Sequence, residues 1–266
     1  MEAVQQLLEI MSRLRDPASG CPWDLRQTYS SIVPYTLEEA YEVADAIQRG
    51  DMRELRDELG DLLFQVVFYS QIAREEGHFD FNQVAQGISE KMLRRHPHVF
   101  SDAEYGSDQE LRQAWEHSKA QEREQHSDSE AISELDGVAR ALPALIRAEK
   151  LQKRAARVGF DWPDSQGALD KLNEELAEVQ AEMGMGDVPR LQDELGDLLF
   201  SVVNVVRLLG LDAEQALSRA NEKFARRFRA METKLNGLGK VDLHALSAHD
   251  RDAALEAVKR TESDPR

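Results

Sequence analysis

Cysteine is nearly absent. Cys21 is the one cysteine among 266 residues, so the chain closes no intramolecular disulfide. Long apolar runs are missing as well: a membrane helix needs roughly 18 or more apolar residues, and even LGDLLFQVVFYSQIA is broken off at Arg74. The N-terminal MEAVQQLLEIMSRLRD lacks the basic-then-apolar order of a secretory signal. Together these absences lead us to expect a cytoplasmic protein without a membrane span. Positive charge is also scarce, with 33 Lys and Arg against 50 Asp and Glu, a formal net charge of -17. A nucleic-acid backbone is therefore a poor partner, because such binders cluster cations against phosphates. A small phosphorylated ligand is still compatible with this charge if metal ions bridge the two. Finally, no segment alternates with period two for long enough to make a sheet.

What is present is a repeat, in a chain whose 41% hydrophobic content suffices for one large or two ordinary domains. DELGDLLF occurs at 57–64 and again at 193–200. CPWDLRQ resembles GFDWPDSQ, LEEAYEVADA resembles NEELAEVQAE, and EKMLRRHPHVF resembles EKFARRFRAM. The acids Glu39, Glu42, Glu58 and Asp61 recur 136 positions later as Glu175, Glu178, Glu194 and Asp197. Within each copy the two acidic motifs stand 19 residues apart, so the two copies should share one geometry. Helical patterns cover 2–15, 37–49, 52–75, 80–95 and 108–124, then 138–157, 168–183, 188–209 and 213–235. The expected architecture is all-α, with two tandem helical bundles joined by a charged, partly helical linker. We place the first repeat at 1–107, the linker at 108–135, the second repeat at 136–236 and a C-terminal tail segment at 237–266.

The acids are set among oily residues. At about 100° per residue, Glu58, Asp61 and Gln65 share one stripe of a helix, bordered by Leu62, Tyr69, Phe64 and Phe68. Leu59, Leu63, Val66 and Val67 cover its back, a pattern that predicts a core helix. Glu194, Asp197 and Ser201 form the matching stripe in the second copy. Carboxylates so placed cost several kcal/mol each unless something compensates them. Glu39 and Glu42, like Glu175 and Glu178, project together from a partner helix, so packing two helices side by side gathers four acids around one pocket. An all-oxygen set without His or Cys suits Mg²⁺ or Mn²⁺. Thr36 with Glu39 has the spacing of a capping box, although Leu172 replaces Thr36 in the second copy. A di-iron bundle would require Glu-x-x-His on its helices, and only Glu75 and His78 have that spacing, with Gly77 between them. His96 and His98, without counterparts in the second copy, read as loop residues. Trp23 and Trp162 read as packing anchors before the acidic helices.

EEAYE and NEELAE, each followed by DELGD, resemble the EExxE and ExxD motifs of the all-α nucleoside triphosphate pyrophosphohydrolases. With VGFDW and NEKFARRF, the tandem arrangement is similar to the MazG family over nearly the whole chain. The resemblance implies two MazG-like bundles, hydrolysis of a nucleoside triphosphate to monophosphate and pyrophosphate with Mg²⁺, and a homodimer. It implies metal ligation by Glu175, Glu178, Glu194 and Asp197, with Glu39, Glu42, Glu58 and Asp61 as the matching set, and phosphate contacts from Lys223 and Arg227. Relatives carry an aromatic residue before a VKR stretch, where this chain has Leu255. Within that chemistry we expect Glu174 to orient or deprotonate the attacking water, and Arg226 to share the phosphate-facing surface. Lys171 and Arg190 precede the second-copy ligands by one turn, where we expect them to bind the phosphates of the substrate, and the first copy has Tyr35 and Glu54 there. That difference points to the second copy as the catalytic one. The alternative is a helical module that binds a nucleotide or partner without catalysis and keeps a structural metal.

Overall fold

The structure is a computed structural model that describes residues 2–101, 105–107, 110–111, 114–115, 133–237 and 246–263. Among them every regular element is a helix, as the missing period-two pattern requires. The chain divides into two compact units, Met1–Gln125 and His126–Arg266. The expected helix over 108–124 falls largely outside the described residues.

The first unit holds α1 (Glu2–Leu14), α2 (Pro22–Leu25), α3 (Tyr29–Arg49), α4 (Met52–Glu75), α5 (Phe81–Arg95) and the short α6 (Pro97–Phe100). α3 and α4 pack along each other, and α1 and α5 each lean on α4. Met11, Ile32, Val67, Phe68 and Ile72 form the core, with Tyr29, Phe64 and Tyr69 packed around it. α3 begins eight residues before the expected start. Thr28 and Ser31 form its capping box, and Pro34 lies inside the helix, where it gives up one backbone bond. Thr36 is therefore not a cap: its hydroxyl donates to the Ile32 carbonyl and lies 2.9 Å from the Tyr69 hydroxyl.

The second unit holds α7 (Ala144–Arg157), α8 (Ser165–Glu182), α9 (Val188–Leu208), α10 (Ala213–Gly237) and α11 (Ala248–Ser263). α7 starts after Pro143, six residues later than the pattern suggested, and α11 folds the expected tail back onto α10. α8 and α9 pack together as α3 and α4 do. The same turn makes both hairpins. Gly50 and Gly186 reverse the chain at φ of 69° and 77°, where an L side chain would be strained, and Asp51 and Asp187 then cap the following helices.

Each unit also ties the segment ahead of its first acidic helix to the end of its second, with opposite polarity. Arg15, buried, donates to both Glu75 oxygens and to the Asp24 carbonyl, and lies over the Phe68 ring. In the second unit the guanidinium comes from α9: Arg207 pairs with Asp161 in the loop before α8. The two tryptophans sit in these segments, Trp23 in α2 and Trp162 in the loop before α8. Trp162 lies against Gly167, where an added Cβ would approach its ring to 2.8 Å, and Trp23 meets Tyr35 edge-on. His96 caps the end of α5 and His98 lies in α6, with ring centroids 4.7 Å from Trp115 and 5.6 Å from Tyr105 respectively.

One expectation needs correction. α4 and α9 are not enclosed all round within their own units: Leu59 and Leu63 are 49% and 38% exposed, and Leu195 and Leu199 are 43% and 58% exposed. Part of each apolar back, with Val67 on α4 and Val203 on α9, is buried, while these leucines stay open among the described residues; an apolar stripe in a sequence does not say which of its residues the core will take.

Candidate functional site

Because α3 and α4 are antiparallel neighbours through the Gly50 turn, residues eleven before and eight after that glycine come level with one another. Glu39, Glu42 and Glu58 each offer an oxygen within 4.8 Å of the others. In the second unit Glu175, Glu194 and Asp197 do the same. The remaining acid of each set is nearby. Asp61 acts electrostatically on Glu39 and Glu58, and Glu178 on its side is acted on by Glu175 and Glu194. All eight acids singled out in the sequence thus fall into two quartets.

The two quartets differ in charge balance. In the first, burial and then the carboxylates of Asp61, Glu42 and Glu58 push Glu39 above the ordinary glutamate range. Burial followed by Glu42, Asp61 and Glu54 does the same to Glu58. Glu178 in the second quartet is raised by burial and Glu175, but Lys171 acts in the opposite direction. The Lys171 ammonium lies 2.7 Å from Glu174 Oε1 and 2.7 Å from Glu175 Oε1. Those carboxylates hold Lys171 well above its usual range. Glu175 is 5% exposed, and its second oxygen, Oε2, is buried with no hydrogen-bond partner. A buried, unpartnered carboxylate oxygen at the meeting point of three acids calls for a cation. A hard divalent ion fits these donors.

The other sequence-predicted residues are placed less centrally. Glu174 is exposed and shares the Lys171 ammonium. Arg190 reaches the buried Glu182 at 3.2 Å instead of the quartet, a pair without equivalent in the first unit, where Ala46 and Glu54 stand. Glu54 is itself held by Arg49 at 2.5 Å, so its charge is locally offset. Lys223 and Arg226 are exposed and Arg227 half-buried on α10. Arg226 lines an open groove of 540 Å³ with Asn221, Glu222, Ala225 and Arg229, and none of the eight acids borders it. Lys259, and more weakly Arg260 and Arg227, lower Glu256 on α11, which brings α11 into the field of the α10 cations. Leu255 is half-buried on α11.

Sequence reasoning treated Lys171 as a phosphate contact and missed its hold on Glu175. The signal was available, since a lysine four residues ahead of a glutamate on one helix can pair with it. It also left unremarked that Gln65 is 7% exposed with its Oε1 unpartnered, one turn beyond Asp61.

Fold and site together define an all-α protein that builds one acid-lined helix hairpin twice. The MazG nucleotide pyrophosphohydrolase domain matches twice, at residues 27–100 and 164–231, and each match spans one quartet. The chain is 50% identical to the nucleoside triphosphate pyrophosphohydrolase of Escherichia coli (strain K12), over 99% of this chain and 100% of that one. It is 43% identical to the nucleoside triphosphate pyrophosphohydrolase/pyrophosphatase MazG of Thermotoga maritima, over 96% of this chain and 95% of that one. A solved mazG-related protein from Thermotoga maritima is 28% identical, with a TM-score of 0.38, over 44% of this chain and 98% of that one. The chain belongs to the MazG nucleotide pyrophosphohydrolase family, and with it to the hydrolases.

Proposed function

We propose that this protein hydrolyses nucleoside or deoxynucleoside triphosphates to the monophosphate and pyrophosphate, with Mg²⁺ or Mn²⁺, at the quartet of the second repeat. One observation carries this reading: a family member has two sets of converging acids, and in one of them a buried carboxylate oxygen is left without a partner. Glu175, Glu178, Glu194 and Asp197 would hold the ion. When bound, it would neutralise phosphate charge and hold the triphosphate for in-line attack.

The chain's own residues supply the rest. Glu174, exposed beside Glu175, accepts a hydrogen bond from a water and draws its proton as that water approaches the α-phosphorus. The bond from the α-phosphorus to the bridging oxygen breaks, and pyrophosphate leaves with the electron pair. Lys223, Arg226 and Arg227 on α10 offset the charge of that leaving group. Arg190 anchors the hairpin through Glu182 and adds positive potential at the mouth of the site. Glu39, Glu42, Glu58 and Asp61 form a second ion site of weaker or structural use. The exposed leucines Leu59 and Leu63 on α4 and Leu195 and Leu199 on α9 fit a homodimer. Destroying triphosphates in the cytoplasm would give the enzyme a part in controlling the nucleotide pool, with spent or damaged nucleotides among its substrates.

The test is a product assay across normal and modified nucleoside triphosphates with Mg²⁺. Monophosphate and pyrophosphate are expected. Diphosphate and free phosphate would place the attack at the γ-phosphorus and refute the assignment, whereas a pure binding module would release nothing.

A further inference from the structure

We propose that Lys171 is the internal counter-ion of the second quartet: it holds Glu175 until a metal–nucleotide complex arrives and is then handed to the phosphates. The site therefore loads metal together with nucleotide instead of ahead of it. This rests on the function proposed above and specifies how that site fills.

The starting point is a difference at one position. Both quartets gather three oxygens within 4.8 Å, yet the ammonium of Lys171 sits 2.7 Å from Glu175 in one, while the other has the uncharged Tyr35 at the equivalent place, turned to Trp23. A cation already bound to one ligand opposes the entry of a second cation into the same cluster, and the exclusion of screening water from a 5% exposed carboxylate strengthens that opposition. Free metal should therefore meet more resistance at the second quartet than at the first.

Lys171 can give way without being stranded. Its ammonium is already shared with Glu174 at 2.7 Å, its side chain is 36% exposed, and lysine is a point charge on a flexible stem. Leaving Glu175, it keeps Glu174 and gains whatever anion stands at the mouth of the site. A triphosphate is such an anion. Binding of nucleotide and release of Glu175 then favour each other, and by linkage nucleotide raises metal affinity by the factor that metal raises nucleotide affinity. Lys171 is a positioning residue in this respect, acting on the ion through Glu175.

The test reads Mn²⁺ binding to the full chain by electron paramagnetic resonance, with and without the α,β-methylene analogue of ATP. Glu58→Ala with Asp61→Ala isolates the second quartet, and Asp197→Ala isolates the first. In the former background Lys171→Met should tighten free Mn²⁺ binding about tenfold and reduce the enhancement by the analogue to a similar degree. In the latter background Tyr35→Lys should weaken free Mn²⁺ binding and make it respond more to the analogue. This reverse change keeps the idea testable should Lys171→Met fail to fold. Unchanged or weaker free Mn²⁺ binding in Lys171→Met would overturn the counter-ion role while leaving the proposed hydrolysis standing. Absence of Mn²⁺ binding at either quartet, with or without the analogue, would instead remove the metal site on which both readings depend.

Discussion

The two quartets carry the same acids at the same spacing but settle their charge differently. In the first repeat burial, and after it the neighbouring carboxylates, push Glu39 and Glu58 above the ordinary glutamate range. In the second a lysine stands among them. Duplication has kept the ligands and varied their surroundings: Tyr35 against Lys171, Glu54 against Arg190, Ala46 against Glu182. Shared acids therefore define where an ion can sit, and the neighbours decide how it arrives and what it can be used for. The tethers follow the same pattern, with arginine on the leading side in one repeat and on the trailing side in the other.

Removing divalent ions should have the largest effect. A chelator is expected to bring triphosphate hydrolysis to background, with Mg²⁺ or Mn²⁺ restoring it and Ca²⁺ doing so poorly, because Ca²⁺ favours more ligands and looser geometry. Full activity in chelator would make both quartets irrelevant to the chemistry. Next come the tethers, which sharpen the comparison through stability. Arg15→Ala leaves Glu75 and the Asp24 carbonyl without their guanidinium and should cost the first repeat about 3 kcal/mol. Arg207→Ala should cost the second repeat somewhat less, because Arg207 holds only the side chains of Asp161 and Asn204, whereas Arg15 also satisfies the Asp24 carbonyl in a buried bond. Calorimetry on the two variants should shift different transitions, and a shared shift would mean that the repeats unfold as one.

A smaller effect is expected from pH in metal-free protein. Glu39 and Glu58 have folded pKa values above the reference of 4.5, so the folded first repeat holds protons that the unfolded chain releases. Their contribution to stability is full below about pH 4.5 and is lost as pH rises through the raised values. Glu178 of the second quartet is raised as well, by burial and Glu175, but there Lys171 works against the shift. Added Mg²⁺ should therefore raise the unfolding temperature of the first repeat increasingly as pH climbs from about 4.5 toward neutrality. An increment independent of pH would contradict the charge crowding.

Much of this was legible in the sequence. The duplicated acids, their common spacing and the bounds of α4 and α9 follow from helical periodicity and from Gly50, Asp51, Gly186 and Asp187 at the turns. The start of α3 was hidden because Pro34 suggests a boundary, while the capping by Thr28 and Ser31 is strong enough to carry the helix through it. Lys171 was visible as a cation one turn ahead of Glu175, but sequence alone cannot tell an ammonium that meets a phosphate from one that meets its own helix. The apolar back of α4 was read as core, although Leu59 and Leu63 stay open, because helical periodicity marks an apolar stripe without saying what lies against it.

The most direct test of the asymmetry is pyrophosphate release by Glu175→Ala and Glu42→Ala proteins, assayed side by side after each is shown to fold. Losing Glu175 should cost at least about 100-fold, on the scale of removing a principal electrostatic stabiliser, while losing Glu42 should leave much of the activity. Equal and complete loss in both would contradict the account, since the two repeats would then be catalytic equals or tightly coupled.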